Sequence, residues 1–508
     1  MNTMQMKRLI TAISAALSFA VVIISCSSPT VPQNSVKSES LPDIYPDYTH
    51  VTIPCNIAPL TFTIKEKGDD YVTRISKGDK EILLGGCDVT PSLAEWQSLM
   101  AEAVGSDITI EVYARLNEKW TAYKPFTCNV SADSIDPYIS YRLIPPSYVC
   151  YETLTISQRN LTNYDETVIY NNMLAATEND GSCINCHAYK NYRTDNMQFH
   201  IRQYNGGTLF VHNGKPVKLN MATDSTLSAG VYPAFNPVYD VVAYSVNKTG
   251  QIFHTRNSNK VEVQDLHSDV IIYNPVSNTV TNVADSPDNL EVFPWWSPDG
   301  RTLYYGSAHF VIEDTANNLM KEEIIRYRDI KYDILRRPWN PDTYSFGPVD
   351  TVFAATKLGK SATFPRISPD GRFLLFALCE YGCFHVWHKD ADLYVQDLST
   401  GNYWPLSEAN STDAESYHSW SSNSRWILFS SRRDDTNYTR LYIAHVDEDG
   451  KASKAFLLPQ ESPHYYPLFD RSYNVPEFMK EPVPFTPQEL AEIVRGEAVK
   501  VEYSSTGK

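Results

Sequence analysis

The chain has 508 residues, 42% hydrophobic and 20% charged, with 60 Asp and Glu against 44 Lys and Arg for a net charge of −16. That length exceeds what a single core usually supports and predicts more than one domain, while the composition excludes a disordered protein. The acidic balance argues against nucleic acid as a partner, because phosphate recognition needs a basic face.

The first element is an export signal. Lys7 and Arg8 precede a 16-residue run without charge, Leu9 to Ile24, shorter than the roughly 20 residues needed to span a bilayer. It ends in Ile23-Ile24-Ser25-Cys26, which resembles the lipobox of bacterial lipoproteins. The resemblance implies a signal peptide over 1–25, a lipid on the Cys26 thiol, and attachment to the membrane without spanning it. Ser27 then favours the outer membrane, with the protein facing the periplasm. An ordinary signal peptide cut elsewhere is the alternative. Residues 26–46 are rich in Ser, Pro and Asn and read as a flexible tether.

Residues 47–150 read as a small β-rich, sandwich-like domain. Alternating segments occur at Leu60 to Ile64, Tyr71 to Ile75, Ile108 to Ala114 and Trp120 to Val130. One helix is predicted after Thr90-Pro91, with Leu93, Trp96, Met100 and Val104 along a face. Cys55, Cys87, Cys128 and Cys150 fall in this stretch. Two disulfides among them suit an oxidising compartment, with the pairing left open.

Residues 151–199 hold a predicted helix, Glu166 to Ala176, and the run Cys183-Ile184-Asn185-Cys186-His187. On a helical turn, positions i, i+3 and i+4 bring both thiols and the imidazole to one face. The run matches the c-type haem attachment motif, in which two cysteines take the haem vinyls and the histidine ligates iron. With this composition it would arise by chance about 0.004 times per chain. A disulfide, a redox dithiol and half of a zinc site are the competing readings. For the distal ligand, Met197 and His200 lie nearest in sequence. The loop Cys379 to His388, with Cys383 and His385, reads as disulfide-pinned, and His388 is a third candidate.

Residues 200–475 repeat. Val231-Tyr-Pro-Ala-Phe, Val292-Phe-Pro-Trp-Trp, Thr363-Phe-Pro-Arg-Ile and Ser416-Tyr-His-Ser-Trp each precede a tight turn and a second strand, and His464-Tyr-Tyr-Pro-Leu-Phe is a shorter echo. Anchors at Pro233, Pro294, Pro365, His418 and Pro467 are 61, 71, 53 and 49 residues apart. At about 40–50 residues per four-stranded blade, this predicts a β-propeller of roughly six blades. Ser297-Pro-Asp-Gly-Arg301 and Ser368-Pro-Asp-Gly-Arg372 resemble the TolB-type propeller repeat. Asp299 and Asp370 are turn residues in this reading, not metal ligands. Residues 476–508 form a tail with one capped helix, Thr486-Pro-Gln-Glu489 to Val494. There is no Gly-x-Ser-x-Gly elbow, so a propeller-gated serine hydrolase is excluded.

Together these motifs resemble exported propeller lipoproteins of Gram-negative bacteria that carry one c-type haem motif. The resemblance implies one haem c on Cys183, Cys186 and His187, a redox partner in the periplasm or membrane, and electron transfer or redox sensing more than self-contained catalysis. The alternative is a scaffold that binds protein or peptide at the channel mouth, with Cys183 and Cys186 in a disulfide and Trp295, Trp296 and Trp420 on the binding surface.

Overall fold

The computed structural model describes residues 29–145, 153–177, 181–257, 259–311 and 319–505. The expected export signal over 1–25, Cys26 and Cys150 lie outside the described residues. The chain is mainly β.

In the N-terminal domain, Asp70–Lys77 pairs antiparallel with both Lys80–Gly85 and Ser106–Leu116. Its helix runs Leu93–Ala103, capped by the Ser92 side chain on the Glu95 N–H, and buries Trp96, Leu99, Met100 and Ala103. Burying each of the three large side chains contributes about 1.5–3 kcal/mol. Leu93 and Val104, expected on that face, are exposed at the helix ends instead. The stretch read as a tether is laid onto this domain from residue 29: Ser35–Lys37 pairs parallel with Lys119–Ala122, and Ile44–Tyr45 pairs with Phe62–Ile64.

Six sheets follow as blades. Blade one is built on the inner strand Ser182–Lys190, blade two on Val231–Phe235, blade three on Asn289–Trp296, blade four on Ser361–Ile367 and blade five on Glu415–Trp420. Blade six takes its inner strand, Ser472–Met479, from the end of the chain and its outer strands, Tyr138–Ile144, Thr155–Asn160 and Glu166–Asn171, from before blade one. Both ends of the propeller are thus hydrogen-bonded into one sheet, which closes the circle and leaves no open edge between first and last blades.

This closure moves several sequence boundaries. The propeller runs from 138 to 479, and 151–199 is divided between blades six and one. Glu166 to Ala176 is not a helix: Glu166–Asn171 is a strand, and only Asn172–Ala175 makes a 3₁₀ turn. The run Thr167-Val168-Ile169-Tyr170 is β-branched and aromatic, and a neighbouring strand is there to pair with it. Cys183 to His187 also lies in a strand, not a helical turn. Pro467 sits in a helical turn, Tyr465–Leu468, outside the blades, and the last repeat anchor is Pro476. The tail helix forms as expected, Pro487–Arg495, with a capping box between Thr486 and Glu489. Beyond it, Val499–Lys500 and Glu502–Tyr503 add outermost strands to blades one and two.

The seven described cysteines are all free thiols. Cys128 is buried, its thiol directed at the Tyr48 carbonyl at 3.2 Å. Cys379 and Cys383 do not bridge either; each faces other partners.

Candidate functional site

Each inner strand carries one bulge at the same height, and the bulges build the channel wall. Cys186, Tyr232, Phe293, Phe364, Tyr417 and Val475 all have positive φ, between 49° and 59°. The strand pairing skips there in every blade. The following residues are His187, Pro233, Pro294, Pro365, His418 and Pro476. Proline is tolerated because a bulge residue needs no ladder N–H. The bulged aromatics meet around the axis, with centroids 4.6 Å apart for Tyr232 and Phe293, 4.1 Å for Phe293 and Phe364, and 4.8 Å for Phe364 and Tyr417. Only about 20 Å³ is left free at this waist, room for no more than a water. The aromatic waist separates two mouths.

One mouth, where the inner strands end, is a funnel of about 210 Å³. Its walls are rigid faces: Tyr192, Trp295, Trp296 and Trp420, with Pro233 and Pro298 between them. In five of the six blades the residue after the anchor faces this space, which places Ala188, Trp295, Arg366, Ser419 and Glu477 in it. Arg366 pairs with Glu477 at 3.2 Å and lies 3.9 Å over the Trp295 ring. Burial pushes the Glu477 carboxyl up to about 7, with Arg366 pulling the other way. Trp420 donates its indole N–H to the Arg366 carbonyl at 3.1 Å, so it braces the wall as well as lining it. Of these, the sequence singled out the three tryptophans as exposed surface; Trp295 is half-buried, whereas Trp296 and Trp420 are buried core residues that line the funnel from within the blades. Arg366, Glu477 and Tyr192 were not singled out, although the position after the anchor is a signal that finds the first two.

The Cys-x-x-Cys-His run lies in the wall of blade one. Its last two residues are the bulge pair of that blade, so His187 is the counterpart of His418. The parallel extends to their surroundings. His418 Nε2 lies 2.8 Å from the Phe364 carbonyl and 3.3 Å from that of Leu375, both on the preceding blade. His187 is turned to the same places on its own preceding blade, the backbone of Val475 and Ser140. Both imidazoles are buried, and burial pushes each down to about 3. Neither ring nitrogen of His187 has a well-formed hydrogen-bond partner.

Around Cys186 stand other groups, Arg202 and Tyr232, and burial pushes its thiol up. Cys183 opens onto a cavity of about 300 Å³ at the second mouth, lined also by Arg142, Arg202, Phe384 and Trp387. A c-type haem needs two thiols and an imidazole presented to one space. Here one thiol faces the cavity, the other is in the waist, and the imidazole is turned to blade six; the three do not fit the group as they stand. Met197 and His200 point to opposite faces of their strand. Met197 is packed in the core between blades six and one, and His200 Nδ1 is engaged by Thr208 Oγ1 at 3.1 Å. The turn reading of Asp299 and Asp370 holds: each accepts from the N–H two residues on, Arg301 at 3.0 Å and Arg372 at 3.1 Å.

No protein-family model matches the chain, and no curated protein matches it either. Among solved structures, TolB from Acinetobacter baumannii is similar, with 13% identity, a TM-score of 0.41, and 76% of this chain and 85% of that one covered. Oligogalacturonate lyase from Vibrio parahaemolyticus matches at 14% identity and a TM-score of 0.30, over 59% of this chain and 85% of that one. A prolyl endopeptidase matches at 13% and 0.33, over 63% and 42%. The propeller assignment rests on the strand order itself.

Proposed function

We propose that the chain is a lipid-anchored binding protein of the cell envelope whose propeller seats an extended peptide segment of a protein partner in the aromatic funnel. The funnel carries this reading: a blind recess of about 210 Å³, walled by tryptophan, tyrosine and proline faces. Such walls are already ordered, so an entering side chain displaces water from apolar surface without ordering the receptor. The recess admits one large side chain, and a chain that crosses it is held by its neighbours on the rim. Anchoring through Cys26 at the outer membrane, facing the periplasm, is part of the proposal and supplies the address. Replacing Cys26 with Ala moves the protein from the membrane fraction to the soluble one if that address is right.

The binding test is a titration of the purified chain with an array of proline- and aromatic-containing peptides, followed by tryptophan fluorescence. Trp295→Ala weakens binding at least tenfold, about 1.4 kcal/mol, in protein that still unfolds cooperatively. Affinities indifferent to Trp295→Ala and Tyr192→Ala would remove the funnel from the argument.

A single haem c on Cys183 and Cys186 is a second reading. What favours it is that both thiols are unbridged and that Cys183 lines a cavity with two arginines, Arg142 and Arg202, suited to carboxylates. It requires the strand to be held differently around His187. A pyridine haemochrome spectrum on protein from an export-competent host with haem-attachment machinery decides it: a covalent haem signal lost in Cys183→Ser with Cys186→Ser establishes the haem, and its absence eliminates it.

A further inference from the structure

Near the second mouth, the link between the second and third strands of blade four folds back on itself and brings three donors of different kinds together. Cys379 Sγ lies 3.3 Å from His388 Nδ1. A carboxylate oxygen of Asp390 joins them, and the three donor atoms all lie within 4.8 Å of one another. Cys379 and His388 are buried, while Asp390 is exposed. We propose that Cys379, His388 and Asp390 form a binding site for a divalent transition metal of the zinc class.

Two observations beyond proximity support this. The first is the far side of the imidazole. His388 Nε2 lies 2.7 Å from Glu262 Oε2, on blade two. That contact places a proton on Nε2, so that in the neutral imidazole the Nδ1 lone pair faces Cys379, whose thiol is directed at the Tyr381 carbonyl at 3.0 Å. Metal-ligating histidines almost always donate their other N–H to a carboxylate in this way. Glu262 is itself held, since its second oxygen accepts from the Tyr381 hydroxyl at 2.8 Å. The imidazole is therefore oriented by a braced carboxylate, from another blade, for a task at Nδ1.

The second observation is the spacing. Zinc takes thiolate at about 2.3 Å and imidazole at about 2.0–2.1 Å in a tetrahedron, which sets sulfur and nitrogen roughly 3.5 Å apart. The 3.3 Å separation is within about 0.2 Å of that edge length. The carboxylate has to close by about 1.4 Å at most, which an exposed aspartate can do. Asp390 is already steered, because its Oδ2 accepts from the Glu380 N–H at 2.8 Å. One thiolate, one carboxylate and one neutral imidazole cancel the charge of a divalent ion, and a water completes four-coordination.

The loop's other candidates are committed elsewhere. His385 places Nε2 2.9 Å from the Gly382 carbonyl and Nδ1 3.3 Å from Thr363 Oγ1. Cys383 faces Asp265 at 3.7 Å. An ion at Cys379 would tie down the loop that carries Phe384 and Trp387 into the second mouth. The site is independent of the funnel and of any haem.

The experiment uses the full chain, stripped with chelator and titrated with zinc alone and with cobalt(II) alone. One equivalent of zinc per chain is expected, and cobalt gives a thiolate-to-metal charge-transfer band. The band is retained in Cys383→Ser and in the double variant Cys183→Ser with Cys186→Ser, and lost in Cys379→Ser. Asp390→Asn, at an exposed position that does not threaten folding, weakens zinc about tenfold, and Glu262→Gln weakens it by about 10–100-fold. Sub-stoichiometric zinc with no cobalt band in the unaltered chain overturns the proposal, as does a band that survives in Cys379→Ser. A simple thiol–imidazole hydrogen bond gives the first of these results.

Discussion

His187 shows how one residue can satisfy two descriptions. In the sequence it completes a five-residue motif whose spacing makes sense on a helix. In the fold it holds a position filled by proline in four blades and by histidine in one other, and it is turned to the same backbone places as His418. The motif was legible because its residue types are rare; the bulge was not, because the alignment of repeats began one blade too late. The two descriptions separate in one substitution. His187→Pro adopts the residue of the equivalent bulges and removes an imidazole that burial disfavours in its charged form. We expect a folded protein with a melting temperature within about 3 °C of the parent, a change of under 1 kcal/mol, read by calorimetry. A loss of 10 °C or more would show that the imidazole itself holds the strand.

Among the elements, the best-read were those whose local chemistry and tertiary setting agree. The Ser-Pro-Asp-Gly-Arg turns form with Gly300 at φ 68° and Gly371 at φ 77°, and the Thr486 capping box opens its helix where expected. Misread elements depended on a distant partner. Tyr138–Ile144 carries no repeat signature, yet it pairs with both Thr155–Asn160 and Ser472–Met479, and no local pattern reports a partner more than 300 residues away. This closure predicts a sharp difference between two truncations. A chain ending at residue 480 keeps the inner strand of blade six and folds, losing the helix that buries Leu490, Ala491 and Val494. At about 1.5–3 kcal/mol for each of the two larger side chains, that loss is roughly 3–6 kcal/mol. A chain ending at residue 471 leaves Tyr138–Ile144 without its inner neighbour and should show no cooperative unfolding transition. Equal stability of the two chains in urea would mean that blade six does not close the ring.

At the scale of the whole molecule, the N-terminal domain and blade five share one hydrophobic core, from Ile53 and Phe62 to Trp426 and Leu441. Tyr48 and Thr61 donate hydroxyls to the carbonyls of Leu457 and Gln460 across the boundary, at 3.3 and 2.5 Å. The chain therefore behaves as a unit, and its pH dependence is set by buried groups of both signs. Burial pushes the imidazoles of His187, His200, His385 and His418 down to about 3. The unfolded chain takes up those protons near the ordinary histidine value of about 6.5, so stability is lost as pH falls from there toward 3. The carboxyls run the other way. Burial raises Glu291 to about 8, Glu477 to about 7, and Asp265 and Asp392 to about 6. The folded chain holds these protons where the unfolded one has released them, so stability is lost as pH rises from the ordinary carboxylate range through those values. Four histidines against four carboxyls balance at roughly pH 6–7, where the melting temperature should peak, with a fall on either side. Glu291 has one oxygen without a hydrogen-bond partner, and Asp269 and Asp285 add to its shift. Glu291→Gln should therefore raise stability at pH 8 and above, flatten the alkaline limb and move the maximum to higher pH, leaving the acid limb unchanged only below the ordinary carboxylate value of about 4.5. A melting temperature that climbs without a maximum from pH 4 to pH 9 would mean these carboxyls do not hold their protons in the folded chain, and the polar interior of the blades would need a different account.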